Sequence, residues 1–275
     1  MSTYASTLGV CSWSLQPKNE RELVDAIKRL GLYKVQLALC PVRENKADWL
    51  NVFKMLQDES IEIVSGMFGT KGEDYSTLET IKATGGLILD QHWDDNQEAA
   101  KEIAEIVNKH DIKTMTFHAG FIPSDPNDSL YEKLCHRIHT VADIFKAAGC
   151  ETLFETGQET AEDLMAFLNT MNRDDIGINF DPANMILYGK GDPIASLTQL
   201  ISKVRQVHIK DAVATKQPGT WGSEEKAGTG EVDWPAFIKV LNDHQYAGNH
   251  VIEREAGDSR EADIAVAAEL ISSLL

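Results

Sequence analysis

Four segments of the chain end an apolar run with a side chain able to hold a cation or move a proton. They are "FETG" with Glu155, "NFDPAN" with Asp181, "VHIKD" with His208 and "VIEREAG" with Glu253. Each has an ordinary explanation alone. A carboxylate after a strand often caps a helix, an aspartate before proline suits an Asx turn, and a histidine in an apolar run is commonly a satisfied core residue. Together they form an oxygen-rich donor set with one imidazole, suited to one divalent ion: Mn²⁺, Mg²⁺, Co²⁺ or Zn²⁺. Without a cation, three converging carboxylates repel one another and some must protonate. With one, the set can acidify a C–H beside a substrate carbonyl, and a carboxylate can take that proton. The expected chemistry is proton transfer through a metal-bound enediolate. Return of the proton to the neighbouring carbon gives isomerisation, and return from the opposite face gives epimerisation.

For the four to meet, the chain must bring its strand ends to one place. Eight apolar, often β-branched runs alternate with helical patterns: "TLGVCSW", "KVQLAL", "IEIVSGMF", "KTMTFHAG", "ETLFETG", "IGINFDP", "RQVHIKD" and "HVIEREAG". Between them apolar residues recur three and four apart, as at Leu23, Ile27 and Leu30. Asn19, Thr160 and Asp233 stand at helix starts, the last with Pro235 in the first turn, and Gly31 and Gly149 stand where helices should stop. This is the pattern of a (β/α)8 TIM barrel over residues 1–275 as one domain, whose active site lies at the C-terminal ends of its strands. A doubly wound sheet usually carries a glycine-rich turn after its first strand, and "SWSLQPKNERE" has none. Of the three spacings between the four candidates, the first two are about one βα unit, and the last is lengthened by a long loop over Thr215–Gly230. An enlarged loop with a short helix is expected over Thr70–Asp95, where His92 and Trp93 are candidates to fold over the mouth.

Twenty-six Lys and Arg against 43 Asp and Glu leave a formal net charge of −17, and no basic stripe breaks it. Such a chain repels a phosphate backbone, so nucleic-acid binding is disfavoured. No apolar run approaches the roughly 20 residues that cross a bilayer. The N-terminal "MSTYASTLGVCSW" shows no basic-then-apolar secretory pattern. Cys11, Cys40, Cys135 and Cys150 form no CxxC pair and read as small buried side chains in a reducing, cytoplasmic setting.

The motifs "FET", "NFDPAN", "VHIKD", "GTGEVDW" and "VIERE" resemble those of the xylose-isomerase-like TIM barrels, the sugar phosphate isomerase/epimerase group. That group includes tagatose and psicose 3-epimerases, hydroxypyruvate isomerase and inosose-processing enzymes, with endonuclease IV a more distant relative. The resemblance runs from Thr7 to the C-terminus. It implies that Glu155, Asp181, His208 and Glu253 bind one divalent metal and that Glu155 and Glu253 are the catalytic acid/base pair. It implies a small-molecule sugar or sugar phosphate as substrate, and a possible homo-oligomer. Two departures bear on the substrate. Asn184 stands where sugar epimerases often have a histidine, and "HIKDAVATK" lacks their arginine, leaving Lys210 or Lys216 for its task. Substrate-binding candidates are therefore Asn184, Lys210, His118 at the end of strand four ("TFHAG") and Trp13 at the end of strand one. Endonuclease IV needs more histidines than "PGTWGSEEKAGTG" and Asn184 supply. A metal-dependent dehydratase of the inosose type on the same barrel is the main rival. A non-catalytic sugar-binding barrel and a phosphodiester hydrolase are the others.

Overall fold

Residues 4, 6–217 and 219–275 are described by the structure, a computed structural model. Residues 1–3 and 5, in the N-terminal stretch read for a secretory pattern, and Pro218, in the long loop, lie outside the described residues. Parallel strands β1 (Leu8–Cys11), β2 (Lys34–Ala38), β3 (Glu62–Met67), β4 (Thr114–Phe117), β5 (Glu151–Glu155), β6 (Ile176–Phe180) and β7 (Val204–Ile209) follow in chain order. Next come β8 (Asp211–Val213) and β9 (Ser223–Glu225), an antiparallel pair outside the barrel. Then β10 (Asn249–Ile252) pairs with both β7 and β1 and closes the ring. The expected (β/α)8 barrel is thus the observed one.

Local chemistry sets the helix ends. The side chains of Asn19, Thr160 and Asp233 accept from the backbone N–H of Glu22, Asp163 and Ala236, satisfying donors that the first turn leaves free. Gly31 and Gly149 take positive φ just past their helices. Between the barrel and the outer helices lie fully buried rings, among them Phe68, Phe117, Phe145, Phe154, Phe167, Phe180 and Phe237.

Three differences from the sequence reading have clear causes. The segment "KADWLNVFKMLQDES" has helical spacing that predicts a helix over residues 46–60, and it is shortened to Val52–Asp58, because the Glu20 carboxylate accepts from the N–H of Asn51 at 2.6 Å and holds the preceding turn. The long loop after β7 contains the β8–β9 hairpin. Its clamp is Asp211, whose Oδ2 accepts from the N–H groups of Gly228 (2.8 Å) and Gly230 (3.2 Å) and from Trp234 Nε1 (3.1 Å). Cys40 and Cys135 are only partly buried, unlike Cys11 and Cys150. The Thr70–Asp95 segment does carry a short helix, Leu78–Thr84, capped by Thr77. No helix among the described residues is long and apolar enough to cross a membrane.

The barrel interior is polar. Gln36 Nε2 donates to Thr116 Oγ1 (2.6 Å), Ser65 Oγ to Gln206 Oε1 (2.8 Å), and Gln206 Nε2 to Gln36 Oε1 (3.0 Å) and Asn179 Oδ1 (3.3 Å). All of these groups are buried, and a buried polar group without a partner would cost roughly 1–3 kcal/mol. The network therefore has to be complete to be tolerated, and it forms a rigid floor beneath the strand ends.

Candidate active site

Glu155, Asp181, His208 and Glu253 follow or end four neighbouring strands, in ring order β5, β6, β7 and β10. One ligand atom from each lies within 4.8 Å of those from the other three, and all four residues are buried. His208 Nδ1 stands 3.6 Å from Glu155 Oε1, 3.8 Å from Asp181 Oδ2 and 3.3 Å from Glu253 Oε2.

Asp181 serves two purposes. Its Oδ1 accepts from the N–H groups of Ala183 (2.8 Å) and Asn184 (3.1 Å), which starts the helix Pro182–Leu187. That is the Asx-type geometry expected of Asp-Pro, and it leaves Oδ2 free. Asp181 Oδ2, Glu155 Oε2 and His208 Nδ1 have no hydrogen-bond partner although buried. Buried polar atoms are nearly always satisfied. Two carboxylate oxygens and an imidazole nitrogen, unpartnered and converging, fit one divalent ion.

The electrostatics are strained in the manner of a functional site. Burial pushes Glu253 up, but Lys210 and His208 outweigh it and hold it well below the usual carboxylate range. Burial likewise opposes ionisation of Glu155, and His118 and His208 bring it below its ordinary value. Asp181 stays above its ordinary value because its burial outweighs Lys210 and His208. Lys210 is held well above its ordinary value despite burial, chiefly by Glu253 and Glu255.

Four further expected site residues reach this cluster: Trp13, Asn184, Lys210 and His118. Trp13 Nε1 donates to Glu253 Oε1 at 2.7 Å, so it orients a carboxylate in addition to forming a wall. Asn184 Nδ2 donates to Glu155 Oε1 at 2.9 Å, and Lys210 Nζ to Glu253 Oε2 at 2.8 Å. His118 Nε2 lies 3.8 Å from Glu155 Oε2, and its Nδ1 is 3.0 Å from Gln158 Nε2. Burial would lower His118, but Glu155 and Glu73 outweigh it and raise it. Lys216 does not line the cavity. Nor do His92 and Trp93: Trp93 packs instead under the Arg137 guanidinium, 5.0 Å from its centroid, because Arg137 is buried and takes the ring as a partner.

Above the cluster opens a cavity of about 450 Å³. Its walls include Tyr75, Tyr188, Trp221, Glu73, Glu224 and Glu255. None of these six was singled out from sequence. Glu255 carried a usable signal, since it follows Glu253 by two positions and shares its side of an extended segment. The rings of Tyr188 and Trp221 come from separate loops, and only the fold places them together.

The sequence matches the family model of the xylose isomerase-like TIM barrel over residues 24–274. The chain belongs to that family. A xylose isomerase domain protein from Planctomyces limnophilus shares 28% identity and superposes with a TM-score of 0.88, over 98% of this chain and 97% of that one. D-psicose 3-epimerase from Clostridium cellulolyticum H10 is similar in fold, with a TM-score of 0.73 and 12% identity over 98% and 99% of the two chains. An inosose dehydratase from Clostridium perfringens is 21% identical over 222 residues, 74% of this chain and 72% of that one. The last two proteins are named for sugar epimerisation and inosose dehydration, and what they share with this chain is the barrel.

Proposed function

We propose that this protein is a divalent-metal-dependent isomerase or epimerase of a sugar or sugar-like hydroxy-carbonyl compound. Glu155, Asp181, His208 and Glu253 would hold the ion, and Glu155 and Glu253 would move the proton. The observation that carries this reading is the set of buried, unpartnered atoms on Glu155, Asp181 and His208. When bound, the ion supplies fixed positive charge that acidifies the C–H beside a substrate carbonyl.

The rest belongs to the chain. Glu155 and Glu253 are both kept ionised by cationic neighbours, so either is ready to accept a proton at a carboxylate oxygen. Asn184 fixes Glu155, and Trp13 with Lys210 fixes both oxygens of Glu253, so neither base must reorganise. His118 lines the cavity as a donor that would meet the substrate's oxygens, while Lys210 holds Glu253 in place. A proton taken by one glutamate leaves an enediolate. Its return to the adjacent carbon isomerises the sugar, and delivery from the other glutamate inverts the original carbon.

A dehydratase is the second reading, favoured by similarity to the inosose dehydratase and by His118. Held above its ordinary value beside Glu155, His118 can give a proton to a departing hydroxyl after a glutamate has removed the C–H proton, so that water leaves. The test is solvent-deuterium incorporation into a library of ketoses and inososes with Mn²⁺ added. Exchange without mass loss supports the isomerase or epimerase, and loss of water the dehydratase. Undiminished exchange in both Glu155→Gln and Glu253→Gln removes those glutamates from the mechanism.

A further inference from the structure

We infer that the cavity takes an uncharged sugar ketone and rejects phosphorylated and carboxylated sugars. This rests on the reading above and names the substrate class for the same site. The cavity is lined by five glutamates, Glu73, Glu155, Glu224, Glu253 and Glu255, and among the described residues by no arginine and one lysine. A phosphate monoester brings a charge of about −1.5 to −2 and three oxygens that demand donors. Among the described residues that line it, the cationic-type donors are His118, which faces Glu155 at 3.8 Å, and Lys210.

Lys210 is committed. Its Nζ donates to Glu253 at 2.8 Å and to Glu255 at 2.7 Å, and lies 3.8 Å from Asp181. An ammonium has three protons, so at most one remains, and it points toward a third carboxylate. The guanidinium of Arg254, which contacts the lining residue Glu224, is committed too. Arg254 places Nη1 2.8 Å from Glu224 and Nε 3.0 Å from Asp263. Glu224 itself accepts further from the N–H of Glu255 at 3.0 Å. On the opposite wall Glu73 is held outward of the cluster by Gly86 N–H and Thr70 Oγ1, both at 2.9 Å. A divalent ion would offset two of the three charges on Glu155, Asp181 and Glu253, and Glu73 and Glu255 would still face an entering anion.

What remains for recognition is apolar and aromatic. Trp13 stands on one side, and Tyr188 and Trp221, with ring centroids 4.9 Å apart, on another. Flat rings suit the C–H faces of a sugar, and the glutamates suit its hydroxyls as acceptors. Both features favour a neutral polyol and neither serves a phosphate.

The test uses the Mn²⁺-loaded protein, with free Mn²⁺ in excess, and three matched probe pairs. These are D-fructose with D-fructose 6-phosphate, D-ribulose with D-ribulose 5-phosphate, and D-fructose with 2-keto-D-gluconate. Binding is read by fluorescence of Trp13 and Trp221, and enolisation by deuterium wash-in under NMR. The neutral member is expected to bind at least tenfold more tightly, and 1 M NaCl to shrink that ratio by screening. Glu73→Gln should narrow the ratio, and Trp221→Phe should preserve it while Trp221→Ala weakens neutral binding. A charged member binding as tightly as its neutral partner overturns the inference, as does failure of every neutral probe to bind. Neutral binding without deuterium wash-in supports this inference while removing the isomerase reading, so the two fail separately.

Discussion

The side-chain oxygen of Gln36 lies 2.8 Å from Nε2 of His208, although the two residues stand 172 positions apart, on β2 and β7. A carbonyl oxygen can only accept, so this shorter contact favours a proton on Nε2, over the amide nitrogen of Asn179 that stands 3.0 Å from the same atom. Its Nδ1 then faces the three carboxylates as the atom free to ligate. Gln36 is itself held by Thr116 and Gln206. Partners of this kind fix the tautomer and ring orientation of a metal-binding histidine, and their loss typically costs 10–100-fold in metal affinity. Gln36→Met should therefore weaken Mn²⁺ binding by about 10–100-fold by calorimetry, while circular dichroism stays that of the barrel. Unchanged affinity would remove Gln36 from the support of the site.

Gly157 tests how closely β5 must approach the helix that follows β6. Its φ is 139°, and an added Cβ would stand 2.5 Å from the Cβ of Asn184. Asn184 is the residue that fixes Glu155. Gly149 has φ of 80°, but a Cβ there meets nothing within 4 Å. Gly149→Ala should cost about 1–2 kcal/mol from backbone conformation alone. Gly157→Ala should cost more than that and also weaken Mn²⁺ binding, which Gly149→Ala should not. Thermal melts and calorimetry on the two variants separate steric approach from backbone strain.

Asp211 belongs to "VHIKD" yet stands apart from the metal cluster. Besides the three donors of the loop clamp, its Oδ1 accepts from the N–H of Ala212 (2.9 Å) and Val232 (3.1 Å). Asp211→Asn would replace one acceptor oxygen by an NH₂ facing N–H donors. Leaving buried donors unpaired costs roughly 1–3 kcal/mol each, and the losses are not independent. A total of about 3–4 kcal/mol and a Tm lower by about 10 °C are expected in calorimetry. The loop carries Trp221, so affinity for a neutral ketose should fall as well, while Mn²⁺ affinity holds.

The strand-end tetrad could be read from sequence because each member sits at the same phase of a repeating βα unit. A barrel converts that phase into spatial convergence, and no further information is needed. Gln36 escaped notice for the opposite reason. In "KVQLAL" it is one polar residue in an apolar strand, and its role depends on side chains of β4 and β7 that only ring closure brings near. Trp13 was expected as a wall, but whether an indole N–H reaches a carboxylate depends on a side-chain rotamer, which composition and period do not carry. Trp93 illustrates the converse: an aromatic residue in an enlarged loop after a strand was a sound candidate for the mouth, and packing against the Arg137 guanidinium claimed it.

His250 supplies a pH dependence free of the metal cluster. It is 4% exposed, both ring nitrogens lack hydrogen-bond partners, and its ring meets Tyr246 edge-on at 5.5 Å. Burial pushes it down from 6.5 to about 4. The folded protein therefore keeps this imidazole neutral in a range where the unfolded chain binds a proton. The sign follows from linkage: its contribution is intact above pH 6.5 and is lost progressively as pH falls through about 4, where the folded form protonates as well. A shift of that size corresponds to about 3 kcal/mol. His250→Phe keeps a ring against Tyr246 and removes the titration. Urea unfolding from pH 8 to pH 4 should show the wild-type protein losing up to about 3 kcal/mol more than the variant, with most of the divergence below pH 6.5. Parallel pH profiles for the two proteins would show that His250 is not held neutral in the fold.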